Sequence, residues 1–117
     1  MKESPLHVKS KMFALRIVNF CNHLKEAKKE FNISNQLFRS GTSIGANISE
    51  ALQGQSKRDF LAKMSIALKE ASETVYWLRL LKETGYLSDK QQYSILKDCI
   101  ELVKLLTSIV RTTNNTK

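Results

Sequence analysis

Apolar side chains recur along this chain at steps of three and four residues, the spacing of one face of an α-helix. Phe13, Ile17, Phe20, Leu24 and Ala27 form the first such stripe, with Val8, Met12 and Leu15 as a weaker apolar group beside it. The pattern predicts a helix over about 5–29. Ser4 suits its N-cap, and Pro5 suits the first helical position, where a missing N–H costs nothing. Lys25, Lys28 and Lys29 would face the negative pole of the helix dipole.

Three more stripes follow. A second helix is expected over about 35–53, with Ser34 as N-cap and Leu37, Gly41, Ile44, Ile48 and Leu52 facing the core. It is rich in small residues, including Ser40, Gly41, Ser43, Gly45, Ala46 and Ser49. A helical glycine costs about 1 kcal/mol relative to alanine, so close approach of a neighbouring backbone is the expected compensation. The third helix is expected over about 57–84. Ser56 opens it, Gly85 closes it, and Phe60, Met64, Ala67, Ala71, Val75, Leu78 and Leu81 form its stripe. Ile66, Leu68, Tyr76, Trp77 and Leu80 lie outside that stripe and imply a second buried face. The fourth helix is expected over about 89–112, opened by the capping box Ser88-Asp89-Lys90-Gln91. Leu96, Cys99, Val103, Leu106 and Val110 form one stripe, and Ile95, Leu102 and Ile109 another. Residues 113–117 read as a polar, disordered tail.

Short connections make neighbouring helices antiparallel. The expected fold is all-α, a single up-down-up-down four-helix bundle over residues 1–117. That length can bury one core without disulfides or metal.

The chain has 19 Lys and Arg against 11 Asp and Glu, a net charge of +8, of which +6 lies in residues 1–63. A basic half attracts nucleic acid or anionic lipid, or simply keeps a protein soluble. Cys21 and Cys99 read as small core residues, and with His7 and His23 they make no zinc pattern. No metal or cofactor is expected. The first residues lack the apolar core of a signal peptide, and no apolar run nears the ~20 residues that cross a bilayer. A cytoplasmic location without membrane contact is the expectation.

Arg39, Ser43, Asn47 and Glu50 share one face of the second helix, and Glu70 and Glu73 on the third could meet Arg39. Three readings stay open from spacing alone: a solvated face, a buried network that sets helix register, or a catalytic or metal constellation. The last would need carboxylates with histidines on facing helices; Glu70 and Glu73 lack a histidine partner. No phosphate loop, GxSxG or HExxH is present.

The run from Ser34 through Arg39, Gly41, Gly45, Asn47 and Glu50 to Ala51 resembles the signature helix of a family of four-helix-bundle proteins encoded in intervening sequences of bacterial 23S ribosomal RNA genes. Ser65–Thr74, Tyr76-Trp77-Leu78 and Gly85-Tyr86-Leu87 extend the likeness over nearly the whole chain. The resemblance implies a ring-like homo-oligomer, typically a pentamer. It extends to the accessory variability protein of diversity-generating retroelements, a basic pentameric bundle that binds nucleic acid and a reverse transcriptase. It places Arg39, Ser43, Asn47 and Glu50 on signature positions, which favours the structural network. No enzymatic role is established for the family. Gly41 and Gly45 stand where many members have alanine or another small residue, which implies closer packing or a weaker helix there.

Charge and resemblance together point first to a non-enzymatic, homo-oligomeric protein that binds RNA or DNA backbone. The candidate contacts are Lys9, Lys11, Arg16, Lys25, Lys28, Lys29, Lys57, Arg58 and Lys63. Tyr76, Trp77 and Leu80 are the candidate oligomer contacts. The alternative is an interaction scaffold for a protein partner such as a reverse transcriptase. An enzyme is the least supported class.

Overall fold

The computed structural model describes residues 4–115. Four helices follow in order: α1 (Pro5–Lys28), α2 (Asn32–Leu52), α3 (Lys57–Glu83) and α4 (Asp89–Asn115). They form a bundle 48 Å long and 23 Å across. Each helix packs on the next around the ring, and α1 and α4 close it along the sparsest seam. Cross-contacts give the directions. Ile17 meets Gly41 and Ser10 meets Gly45, Arg39 meets Glu73 while Glu50 meets Lys63, and Cys99 meets Ala71 while Lys82 meets Asp89. In every pair one chain number rises as the other falls, so neighbours are antiparallel. The expected up-down-up-down bundle is present.

The caps explain the boundaries, and two of them depart from expectation. Ser4, Ser56 and Ser88 cap as their sequence contexts predict: their hydroxyls accept from the backbone N–H of His7, Asp59 and Gln91. Gln91 returns a carboxamide oxygen to the Ser88 N–H at 3.1 Å, a complete capping box. Gly85 takes the expected left-handed conformation at φ 88°. The α1–α2 turn is different. α1 ends at Lys28, and Lys29 is left-handed at φ 56°. Glu30 N–H then closes on the Leu24 carbonyl at 3.1 Å.

Ser34 does not open α2, which begins at Asn32. The cap is the buried carboxylate of Glu30, which accepts from the N–H groups of Ile33 at 3.0 Å and Ser34 at 2.7 Å. Ser34 lies inside the helix, fully buried, and its hydroxyl donates to the Glu30 carbonyl at 2.8 Å. A carboxylate reaching three and four residues ahead to two free N–H groups satisfies more of the helix start than a single hydroxyl would. At the other end of the chain, residues 113–115 continue α4 where a loose tail was expected; 116 and 117 lie outside the described residues.

The core is the union of the predicted stripes with local corrections. Phe13, Ile17, Cys21 and Leu24 of α1 meet Leu37, Ile44 and Ile48 of α2, Met64, Ala67, Ala71, Leu78 and Leu81 of α3, and Ile95, Cys99, Leu102 and Leu106 of α4. Leu52 is 47% exposed, and Ala51 takes its place inside. Ala27 is exposed, and Phe20, Phe60, Val75, Leu96, Val103 and Val110 are only partly buried. Steps of three and four approximate a period of 3.6, so each stripe drifts around its helix. Val8, Met12 and Leu15 stay outside.

Close approach in α2 is concentrated at one glycine. A methyl on Gly41 would stand 2.9 Å from both γ-carbons of Ile17, whereas one on Gly45 would lie at an ordinary 3.4 Å from Ser10. Ile17 is β-branched and fully buried, so it cannot swing away.

Three stability results follow from this packing. Gly41→Ala should lower the unfolding free energy, because overpacking costs about 1–3 kcal/mol against about 1 kcal/mol regained in helix propensity. Gly45→Ala should raise it by about 0.5–1 kcal/mol. A urea titration that ranks Gly41→Ala at or above Gly45→Ala would contradict the close approach. Glu30→Gln should cost about 0.5–2 kcal/mol at pH 7, the usual worth of a cap. Burial raises the Glu30 carboxyl, but the donations from Ile33, Ser34 and Asn32 outweigh it and hold it below its usual 4.5. A lowered folded value means the stabilisation is complete above about pH 4.5 and fades as acid protonates the folded state. The gap between wild type and Glu30→Gln should therefore narrow as the pH is lowered below that range.

Candidate functional site

Two surfaces carry the candidate residues: the polar ridge between α2 and α3, and the cations. The ridge begins with helix register. Arg39 leaves α2 beside the fully buried Ser40, whose Oγ accepts from Thr74 on α3 at 2.9 Å. From there the guanidinium spans two carboxylates one turn apart: Nη1 donates to Glu70 Oε2 at 3.2 Å and Nη2 donates to Glu73. Glu70 is largely buried, and Glu73 also accepts from the indole N–H of Trp77 at 3.0 Å. The four side chains Arg39, Glu70, Glu73 and Trp77 thus form one α2–α3 network.

Ser43 and Asn47 do not join it. The Ser43 hydroxyl donates to the Arg39 carbonyl at 2.6 Å and the Asn47 amide to the Ser43 carbonyl at 2.8 Å, both within α2. Glu50 pairs with Lys63 at 3.2 Å on the exposed surface. The predicted ridge therefore splits into a cross-helix clamp, two back-bonded helix residues and a rim ion pair. Its chemistry is that of a satisfied ion pair. Among the described residues no three His, Cys, Asp or Glu groups stand where they could hold a metal ion. Burial raises the Cys21 thiol to about 11 and the Cys99 thiol to about 12, so neither is a thiolate nucleophile at neutral pH.

The nine candidate cations do not form one patch. An antiparallel bundle sends Lys25, Lys28 and Lys29, near the end of α1, to the opposite pole from Lys57 and Arg58 at the start of α3. Lys9 and Lys11 share the second pole. Three of the nine are already paired: Lys9 with Glu101 at 2.5 Å, Arg16 with Asp98 at 2.7 Å and Lys63 with Glu50. Arg16 also donates to the carbonyl and hydroxyl of Ser94. These contacts fasten the sparse α1–α4 seam. The Lys9 hydrogen bond, then its charge, and then Lys97 lower the Glu101 carboxyl below its usual range.

Of the candidate oligomer contacts, Tyr76 is 59% exposed, while Trp77 and Leu80 are half-buried. The Tyr76 and Trp77 rings meet edge to face with centroids 5.0 Å apart. Val8, Met12 and Leu15 form a second apolar row on the outward side of α1, bordering a groove of about 490 Å³ beside α4. α1 and α3 occupy diagonal corners of the bundle, so the two apolar surfaces do not overlap. Although the charge excess falls in residues 1–63, α4 also carries a row of exposed cations, Lys90, Lys97, Lys104 and Arg111. Their seven-residue spacing was the available signal. No helix among the described residues is long and apolar enough to cross a membrane.

Against known proteins, the 23S rRNA-intervening sequence protein family matches residues 2–108. A crystal structure from Bacteroides thetaiotaomicron VPI-5482, of a protein with unknown function from the S23 ribosomal protein family, superposes with a TM-score of 0.88. The two sequences are 54% identical, and the match covers 90% of this chain and 97% of that one. No curated protein matches.

The clamp and the rim pair differ in burial, and that predicts their worth. Arg39→Ala strands the largely buried Glu70 and should cost about 1–2 kcal/mol, a buried-pair penalty reduced by the exposure of Arg39. Lys63→Ala should cost about 0–1 kcal/mol. Thermal unfolding monitored by Trp77 fluorescence compares them directly; equal losses would remove the special place of the clamp.

Proposed function

The chain belongs to the 23S rRNA-intervening sequence protein family, and from that membership we propose that it works as a non-enzymatic homo-oligomer, a ring of five copies, that binds the backbone of nucleic acid. The observation that carries the binding is the set of unpaired cations at both poles. Lys25, Lys28 and Lys29 at one pole, and Lys11, Lys57 and Arg58 at the other, form no ion pair among the described residues. Phosphate contacts by such side chains release counterions and need no base-specific geometry. Repetition around a ring would turn weak contacts into avid ones.

Assembly is supported by the two separate apolar surfaces. A head-to-tail ring needs two different patches on each subunit. The α3 surface at Tyr76, Trp77 and Leu80 and the α1 row at Val8, Met12 and Leu15 satisfy that requirement. Should self-association cover only one of them, the other would be left for a protein partner, and the bundle would act as an adaptor for a nucleic-acid-processing enzyme.

Light scattering tests the assembly: Trp77→Ala or Leu80→Asp should lower the mass while leaving much of the helical circular dichroism. An unchanged mass would remove those residues from the interface. For the binding, affinity for RNA and DNA measured across a salt series should fall linearly in log–log form, by about 0.9 per neutralised phosphate on duplex DNA. Absence of binding at low salt would assign the charge to solubility. Apolar dye binding by the intact oligomer would then direct the search to a protein partner.

A further inference from the structure

The cations proposed above sit at the poles, yet a further row of cations runs along the side of the bundle. Lys90, Lys97, Lys104 and Arg111 recur every seven residues on α4, and all four are exposed. Seven residues advance a helix by about 10.5 Å and rotate its side chains by only about 20°. The row is therefore about 30 Å long and stays on one side of the helix. α4 also carries three carboxylates, but each is held by a cation from a neighbouring helix: Asp89 by Lys82, Asp98 by Arg16 and Glu101 by Lys9. None of the four row cations forms an ion pair among the described residues. The neighbouring helices thus pair with the acids of α4, and its four row cations form no ion pair of their own, although Lys97 lies near enough to Glu101 to help lower its carboxyl.

Beside the cations runs a second row at the same period, Tyr93, Ile100 and Thr107. Tyr93 is 67% exposed, more than any other large hydrophobic side chain of the described chain. With Leu96 and Ile100 it borders an open hollow of about 350 Å³, edged by Lys97, Lys104, the Gln92 amide and Glu101, whose carboxylate is paired with Lys9. An exposed aromatic ring in an apolar hollow, flanked by unpaired cations at regular intervals, is the combination that holds an unpaired base and its phosphates.

We propose that the outward side of α4 is a track for single-stranded nucleic acid, with phosphates along Lys90, Lys97, Lys104 and Arg111 and a base stacked on Tyr93. This rests on the nucleic-acid reading above and names the strand type and the site. Duplex DNA hides its base faces and has no use for Tyr93; a single strand offers them.

The test is fluorescence anisotropy of labelled 20-nucleotide oligo-U and oligo-dT, and of a duplex of equal length, titrated with the full chain over a salt series. Lys97→Ala with Lys104→Ala should reduce the single-strand salt slope by about 1.4, at about 0.7 per phosphate contact. Tyr93→Ala should weaken single-strand binding about 5- to 150-fold, while Tyr93→Phe should bind as wild type because the ring remains. Circular dichroism and scattering mass should be unchanged in all of them, since these side chains lie outside the core. If the α4 variants bind as wild type while Lys57→Ala with Arg58→Ala loses affinity, the track is wrong and the polar cations carry the binding. A fall in oligomer mass on the α4 changes would make this side a contact between copies and overturn the track. Equal or tighter binding of the duplex, indifferent to Tyr93→Ala, would overturn the stacking. No binding of any oligonucleotide by the wild type at low salt would overturn both readings together.

Discussion

The bundle depends on how closely α2 lies between its two neighbours. On the α1 side the Gly41 backbone rests against Ile17, at a distance that leaves no room for a methyl group. Toward α3, Ser40 meets Thr74 in the interior. Both contacts need small side chains, and the Thr74–Ser40 hydrogen bond favours one axial position. The helix accepts the propensity cost of glycine and serine in exchange for register. The clamp of Arg39 on Glu70 and Glu73 then adds an outer, charged version of the same constraint, at the same level of the bundle.

Register on the other side of the molecule is set differently. α1 and α4 touch sparsely, and their seam is closed by two exposed ion pairs, Lys9–Glu101 and Arg16–Asp98. Such pairs contribute little stability each. Their larger effect is on the surface field, because they consume two of the three carboxylates of α4. A fold held tightly through α2 and loosely at the α1–α4 seam leaves the outward side of α4 basic and the outward side of α1 apolar.

Much of the fold was legible in the residues. The four helices, their order and direction, the serine caps before α1, α3 and α4 and the left-handed Gly85 all follow from local rules about periodicity and capping. The start of α2 was not, since Glu30 caps it across an intervening phenylalanine and only the turn geometry brings its carboxylate to the N–H groups of Ile33 and Ser34. The meeting of Arg39 with Glu70 and Glu73 could be anticipated as a shared ridge. That Ser43 and Asn47 would bond back to their own helix could not, because the spacing of residues on one helix says nothing about what the next helix offers opposite them.

Charge marks the same boundary. The amino-acid sequence by itself determined an all-α chain of four amphipathic helices with an excess of positive charge, because helix period, capping and net charge are local or additive properties. Tertiary structure alone decided which of those charges are free. Antiparallel packing sent the basic residues of the first half to opposite poles, paired Lys9, Arg16 and Lys63 with carboxylates distant in sequence, and left Lys90, Lys97, Lys104 and Arg111 unpaired along one helix. Ion pairs depend on distances across helices, and those exist only once the bundle has formed.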